Sequence, residues 1–441
     1  MPFFLSFRRS WIVLAGLALL APAPFIHAQQ LGTKDGLLKA FNDNDKRRRD
    51  LLSGELEKPE KGDAKLAEAF AQRYIWMTTH RMEPNELQKL HAEFDNVLAS
   101  ALELTFDKKK KKNSEFLDML APKLVEAMEA VLERDQAKDA ATVVNAALML
   151  RSMAKLKRDV VGDLLVRLIA NPKVHDSVRL YAIKSLTEYM PITSLPDDVE
   201  LTAGMAAKMR KDAKYVDALA KFIETPIPAD GVRGDQLAAK HFIRREGIIV
   251  LAQAGAPAVL ALKKPVKFDK KDNQAEGLVA PTLLKVLAPK GLEPPAKLQE
   301  KIEAAVGLAS MKTSHMSEYN QDLATYLIGQ TISEFISEYS VDLPNFTGIG
   351  AAKRLPYIAW RTESKRLEAE VVRLAKNGGK GSNADRLLGK SAPIFARISG
   401  GKDYLTIQND QRIEFNTLLP TLMPKSNDVF KTVKAAPIPL D

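Results

Sequence analysis

From about residue 61 to about residue 340 the apolar side chains return every three or four positions, the period of a helix with one buried face. Leu66, Phe70, Tyr74 and Met77 form the first such stripe. Pro84, suited to a first helical turn because its missing N–H would have no partner there, opens a second through Leu87, Leu90, Phe94, Val97 and Ala101. Leu117, Leu120, Leu124, Met128 and Val131 make a third. Later come Leu298, Ile302, Ala305 and Ala309, and then Ala324, Ile328, Ile332, Phe335 and Tyr339. The pattern predicts an all-α fold. At 441 residues the chain exceeds what one hydrophobic core holds, about 250–300 residues. Several domains, or a stack in which each helix pair packs on its neighbours, are the solutions. The chain has no cysteine, so packing alone must hold it.

Residues 139–263 carry an internal repeat. Val178, Ala182 and Leu186 lie on one stripe, with Tyr181 and Ile183 beside it. Asp176 stands where a carboxylate can accept from free N–H groups at a helix start. Asn171-Pro172 supplies a turn, and Leu164, Leu165, Leu168 and Ile169 a partner helix. The spacing recurs at Ile243-Arg244, Gly247-Ile248 and Leu251, followed by the turn Gly255-Ala256-Pro257-Ala258. Earlier it fits Thr142, Ala146-Ala147 and Leu150. Thr142 and Val178 are 36 residues apart, near the length of a helix-pair repeat; Val178 and Ile243 are 65 apart, room for two short repeats or one with an insertion. The pattern Asp-x-Val-Arg-x-x-Ala-Ile-x-x-Leu resembles the second helix of a HEAT-like (armadillo-type) repeat. The second copy departs from it: Lys240 and His241 stand near the place of the aspartate. The resemblance implies an α-solenoid or an irregular stack of antiparallel helix pairs, and a protein or peptide partner held on its surface.

The ends read differently. Residues 1–28 have the order of a signal peptide: Arg8-Arg9, the apolar run Trp11–Leu20, and Ile26-His27-Ala28 before Gln29-Gln30. The apolar run is short of the about 20 residues that a membrane-spanning helix needs, so cleavage, and no transmembrane span in the mature chain, is the expectation; an uncleaved anchor is the alternative. Residues 29–60 are polar and read as a linker or a frayed helix. Residues 61–340 form the helical-repeat domain and residues 341–441 a basic C-terminal region. Within the latter, Ser340 to Gly350 reads as a connector. Tyr404 to Gln408 and Arg412 to Asn416 fit a hairpin, or Asn409-Asp410 could cap a further helix. Ala435 to Pro439 reads as an extended tail. The address expected is the periplasm or another part of the cell envelope.

Motifs for chemistry are weak. Gly389-Lys390-Ser391 lacks the second glycine of a phosphate loop, since Ala384 stands there. Asp43-Asn44-Asp45 lacks the glycine of a calcium loop, since Arg48 stands there. His80, His91, His175, His241 and His315 share no metal-binding spacing and read as surface or capping residues. No serine sits in a Gly-x-Ser-x-Gly elbow, although paired carboxylates across a cleft would leave no motif. The expectation is no enzyme, no cofactor and no metal.

Charge is the remaining signal. The formal charge is +10, and +8 without Arg8 and Arg9. Residues 353–402 hold twelve Lys or Arg and four acids, a local excess equal to that of the whole mature chain. Arg361, Lys365, Arg366, Arg373 and Lys376 fall in one arc of about 140° on a helix, opposite Leu367, Val371 and Leu374. They are the candidate anion-binding residues, facing an anionic polymer or lipid of the envelope. Lys108 to Lys112 reads as a solvated loop. Asn345-Phe346-Thr347 is a formal glycosylation acceptor that chance readily supplies. Nucleic acid is not an expected partner.

Overall fold

The computed structural model describes residues 32–43, 45–56, 58–80, 82–106, 113–135, 140–189, 203–228, 234–254, 279–311, 319–343, 351–400, 407–430 and 437–440. The expected signal peptide, Lys108–Lys112, the turn at 255–258, Asn345-Phe346-Thr347, and most of the connector at 340–350 lie outside these residues. Among the described residues the fold is all-α. It has no strand, only an isolated bridge between Tyr319 and Phe430. The chain divides after Tyr189 into two compact units.

The first unit contains α1 (Lys34–Asn42), α2 (Asp45–Leu52), α3 (Ala64–Ile75), α4 (Pro84–Phe106), α5 (Ser114–Asp135), α6 (Ala140–Ala154), α7 (Asp159–Ala170) and α8 (Asp176–Ser185). From α3 onward helices pack on the next but one, α3 on α5, α4 on α6, α5 on α7 and α6 on α8, and four consecutive pairs also pack: α3 on α4, α5 on α6, α6 on α7 and α7 on α8. That is the arrangement of helix pairs laid in two rows. The stripes read from sequence form most of its core, with Leu87 and Val97 of the second stripe only half-buried. Phe70, Tyr74, Phe94, Leu117, Leu120, Leu124, Met128 and Val131 are buried, as are Leu164, Leu165, Leu168 and Ile169. In and just after α8, Val178, Ala182 and Leu186 are buried as expected. Its capping differs. His175, not Asp176, is the N-cap: its Nδ1 accepts from the Ser177 N–H at 3.2 Å. Asp176 sits in the first turn and receives Arg179 Nη1 at 3.1 Å, while Arg179 Nη2 donates to the Asn171 carbonyl at 2.7 Å.

Residues 29–60 are not a linker throughout. α1 and α2 fold onto α3 and α5, with Leu37, Leu51 and Leu52 buried. Phe41 meets Tyr74 edge-on at 5.6 Å, and the Arg48 guanidinium stacks on Phe41 at 3.3 Å. Asn113, fully buried, donates from Nδ2 to the carbonyls of Leu52 at 2.8 Å and Ala101 at 2.7 Å. Few apolar residues suffice here because a stacked cation and satisfied polar groups complete the seal.

The second unit contains α9 (Ala203–Glu224), α10 (Gly234–Ala252), α11 (Val279–Leu287), α12 (Leu298–Ser310), α13 (Gln321–Asp342), α14 (Ala351–Gly378), α15 (Asn383–Gly400) and α16 (Asn409–Leu418). The same rule holds: α9 on α11, α10 on α12, α11 on α13, α12 on α14, α13 on α15. The expected division near residue 340 does not separate two bodies, because α14 packs on α12 and α15 packs on α13. The recurrence of the spacing read from sequence falls in α10, where Ile248 and Leu251 are buried. Gly307 lets α12 approach α10: a Cβ there would lie 2.6 Å from Ala252 Cβ. The segment around 409–416 is helical, as the capping alternative expected, with Gln408 at the N-cap and Asn409 and Asp410 in the first turn.

The end of the chain is not a free tail over its described part. Ile438 is fully buried, and its N–H donates to the Asn427 carbonyl at 3.0 Å while Asn427 Nδ2 donates to the Ile438 carbonyl at 3.0 Å. Asn320 at the start of α13 ties this segment down, donating from Nδ2 to the carbonyls of Ser426 and Asp428 at 2.9 Å each.

Candidate functional site

The residues singled out for anion binding all lie on α14, in the second unit. Its apolar stripe is seated as expected, with Leu367, Val371 and Leu374 buried. The basic arc on the opposite side divides into two groups. Arg366 turns inward: its Nη2 reaches Glu303 of α12, a side chain 3% exposed, and its Nη1 lies 3.5 Å from Glu363. Arg373 lies 3.3 Å from Glu370 but keeps 53% of its side chain in solvent. Arg361, Lys365 and Lys376 have no ion pair with any described residue, and Lys365 and Lys376 are exposed. Arg366 is therefore a packing residue, and the outward basic face is Arg361, Lys365, Arg373 and Lys376.

Glu303 belongs to a charged relay through one row of helices. Arg245 of α10 donates Nε to its Oε1 at 3.0 Å, and Arg366 of α14 donates to its Oε2. One turn earlier on α12, Glu300 accepts Arg244 Nε at 2.6 Å, His241 Nδ1 at 2.8 Å and the Lys297 N–H at 2.7 Å. Arg244 also reaches the Pro294 carbonyl at 3.2 Å. Arg244, His241 and Glu300 are all buried. Burial alone would raise both carboxyls. Hydrogen bonds from His241 and Arg244 outweigh it and hold Glu300 below its ordinary value; Arg366 and Arg245 do the same for Glu303. His241 is thus neither a surface nor a capping residue. Arg244 was legible as part of the recurring sequence pattern. Its partner 56 residues away was not, because side-chain pairing across helices leaves no local spacing.

A third group lies on α13. Glu334, Glu338 and Asp342 fall four residues apart, on one face. Loss of surrounding water, then the charges of Glu334 and Asp342, push Glu338 up to about 7. Lys301 of α12 neutralises Glu334 at 2.5 Å. Gly389-Lys390-Ser391 lies within α15, and Lys390 pairs with Glu414 at 2.8 Å. Among the described residues, no three His, Asp or Glu are grouped to hold a metal ion, and no helix is long and apolar enough to cross a membrane.

Fold and site together define an all-helical, cysteine-free protein of stacked helix pairs, with a buried charge relay and a basic outer face on one long helix. Compared with known proteins, the chain matches no family model, no curated protein and no solved structure.

Proposed function

We propose that this chain is an exported, non-catalytic protein-binding scaffold of the cell envelope, built as a HEAT-like helical stack. The observation that supports it best is the packing of helices on the next but one in both units. Helix pairs laid in rows within a unit present an extended outer surface, and such a surface suits recognition of a protein or peptide. The step from architecture to binding is one of analogy between folds. Export rests on the N-terminal order of Arg8-Arg9, the apolar run Trp11–Leu20 and Ala28. The absence of cysteine agrees with an envelope protein that does not depend on oxidative folding. Export is tested by N-terminal sequencing of the protein from fractionated cells. The mature chain is expected in the envelope fraction, starting near Gln29. Met1 retained on a cytoplasmic protein would exclude the reading.

A further inference from the structure

The outer face of α14 carries more than charge. Ile358 and Val372 are 53% and 47% exposed, and both lie in the arc of the outward bases. With about 100° per residue, Ile358, Arg361, Lys365, Val372, Arg373 and Lys376 fall within about 120° of one another around the axis. The positions between them, Thr362 and Ala369, are small and exposed. Glu363, Glu368 and Glu370 all fall outside the arc. The result is a stripe about 27 Å long at about 1.5 Å per residue, with four bases, two large aliphatics and no acid.

We propose that this stripe docks the protein on an anionic lipid surface, α14 lying along the membrane with Ile358 and Val372 at the depth of the headgroups. Three observations favour lipid over an acidic protein. The stripe is a single helix face that holds its aliphatics in solvent, and such a ridge matches a plane. Its charge is of one sign, so nothing on it sets the register of a partner, and protein interfaces rely on both signs for that. Arg361, Lys365 and Lys376 have no ion pair among the described residues, so docking breaks no bond of theirs. Lys and Arg can spread their stems over the interface and keep their charge among the headgroups, while juxtamembrane bases are drawn to anionic lipid and released by salt. The apolar face of α14, through Leu367, Val371 and Leu374, stays in the core, so docking requires no unfolding.

The test is sedimentation of mature chain with vesicles of phosphatidylcholine alone or with 30% (about a third) phosphatidylglycerol, at low and moderate salt. Binding to the anionic vesicles at low salt, a loss of ten-fold or more on Arg361→Glu with Lys365→Glu and Lys376→Glu, and a several-fold loss on Ile358→Ser with Val372→Ser are expected. Ile358, Lys365, Val372 and Lys376 are exposed and Arg361 is half-buried, and an unchanged circular dichroism spectrum confirms the fold of each variant. No binding to anionic vesicles, or binding that the charge variant leaves unchanged, overturns the proposal. So does a soluble acidic polypeptide that binds as well as the vesicles without regard to Ile358 and Val372, which would make the stripe a protein site.

Discussion

Arg244 and Glu300 are fully buried together, Nε donating to Oε1 at 2.6 Å, with Arg244 on α10 and Glu300 on the next helix but one. The bond fixes α10 against α12. Glu303, three residues on, extends the link to α14 through Arg366. Two charges out of water are stable only with every polar atom met, and Glu300 has four donors around it.

Breaking that pair leaves a buried charge alone. Glu300→Leu is expected to destabilise the protein by about 3–5 kcal/mol, and adding Arg244→Met should recover most of the loss, since well-packed apolar replacements of a buried pair are often neutral or better. Urea denaturation of the single and double variants checks this. A double variant as unstable as the single would show that packing, not an unpaired charge, causes the loss.

The same carboxylates contribute to stability against acid. Glu300 and Glu303 lie below their ordinary value in the folded state. Their contribution is present above the ordinary carboxyl value, near about 4.3, and is lost as pH falls through the lower folded values. The stability advantage of the native protein over Glu303→Gln should therefore be constant from neutral pH to about pH 5 and shrink as the pH is lowered further. Denaturation midpoints across that range measure it.

Glu338 has the opposite sign. Raised to about 7, it favours the protonated folded state, so its charge weakens the fold above neutrality and this penalty fades as pH falls toward the ordinary carboxyl value. Glu338→Gln is expected to be more stable than the native protein at pH 8 and to match it at pH 4.5 (about the unfolded value). Equal midpoints at pH 8 would remove the assignment.

Ile438 is fully buried, with its backbone paired to Asn427. Ile438→Ala should cost about 2–5 kcal/mol, as for other large-to-small changes in a core. Leu186→Ala, in the first unit, should cost a similar amount. Thermal denaturation of each, compared with a change at exposed Ile413, separates core loss from a general effect of truncation.

The helices were legible because their stripes are regular: Leu298, Ile302, Ala305 and Ala309 are all buried where the period puts them. The apolar seam of α14 was equally clear. What was not legible is whatever depends on a distant partner. Asp45–Leu52 spells six charged residues in eight, and the stacking of Arg48 on Phe41, the burial of Leu51 and Leu52 and the bonds of Arg47 to Asp63 and of Asn113 to the Leu52 carbonyl make it part of the core. Arg366 lies on the basic arc by angle, yet Glu303, 63 residues earlier, draws it inward. The end of the chain reads as extended because Pro437 and Pro439 exclude a helix, and its pairing with Asn427 lies beyond any periodic signal.

The central claim, a scaffold that binds protein, is tested most directly by binding of a chain of residues 29–441 to envelope extract. This protein is immobilised and bound proteins are quantified with and without an excess of the same chain free in solution. The account predicts at least one envelope protein retained saturably and displaced by the free chain. Retention of nothing that saturates, or of nothing that the free chain displaces, would contradict it.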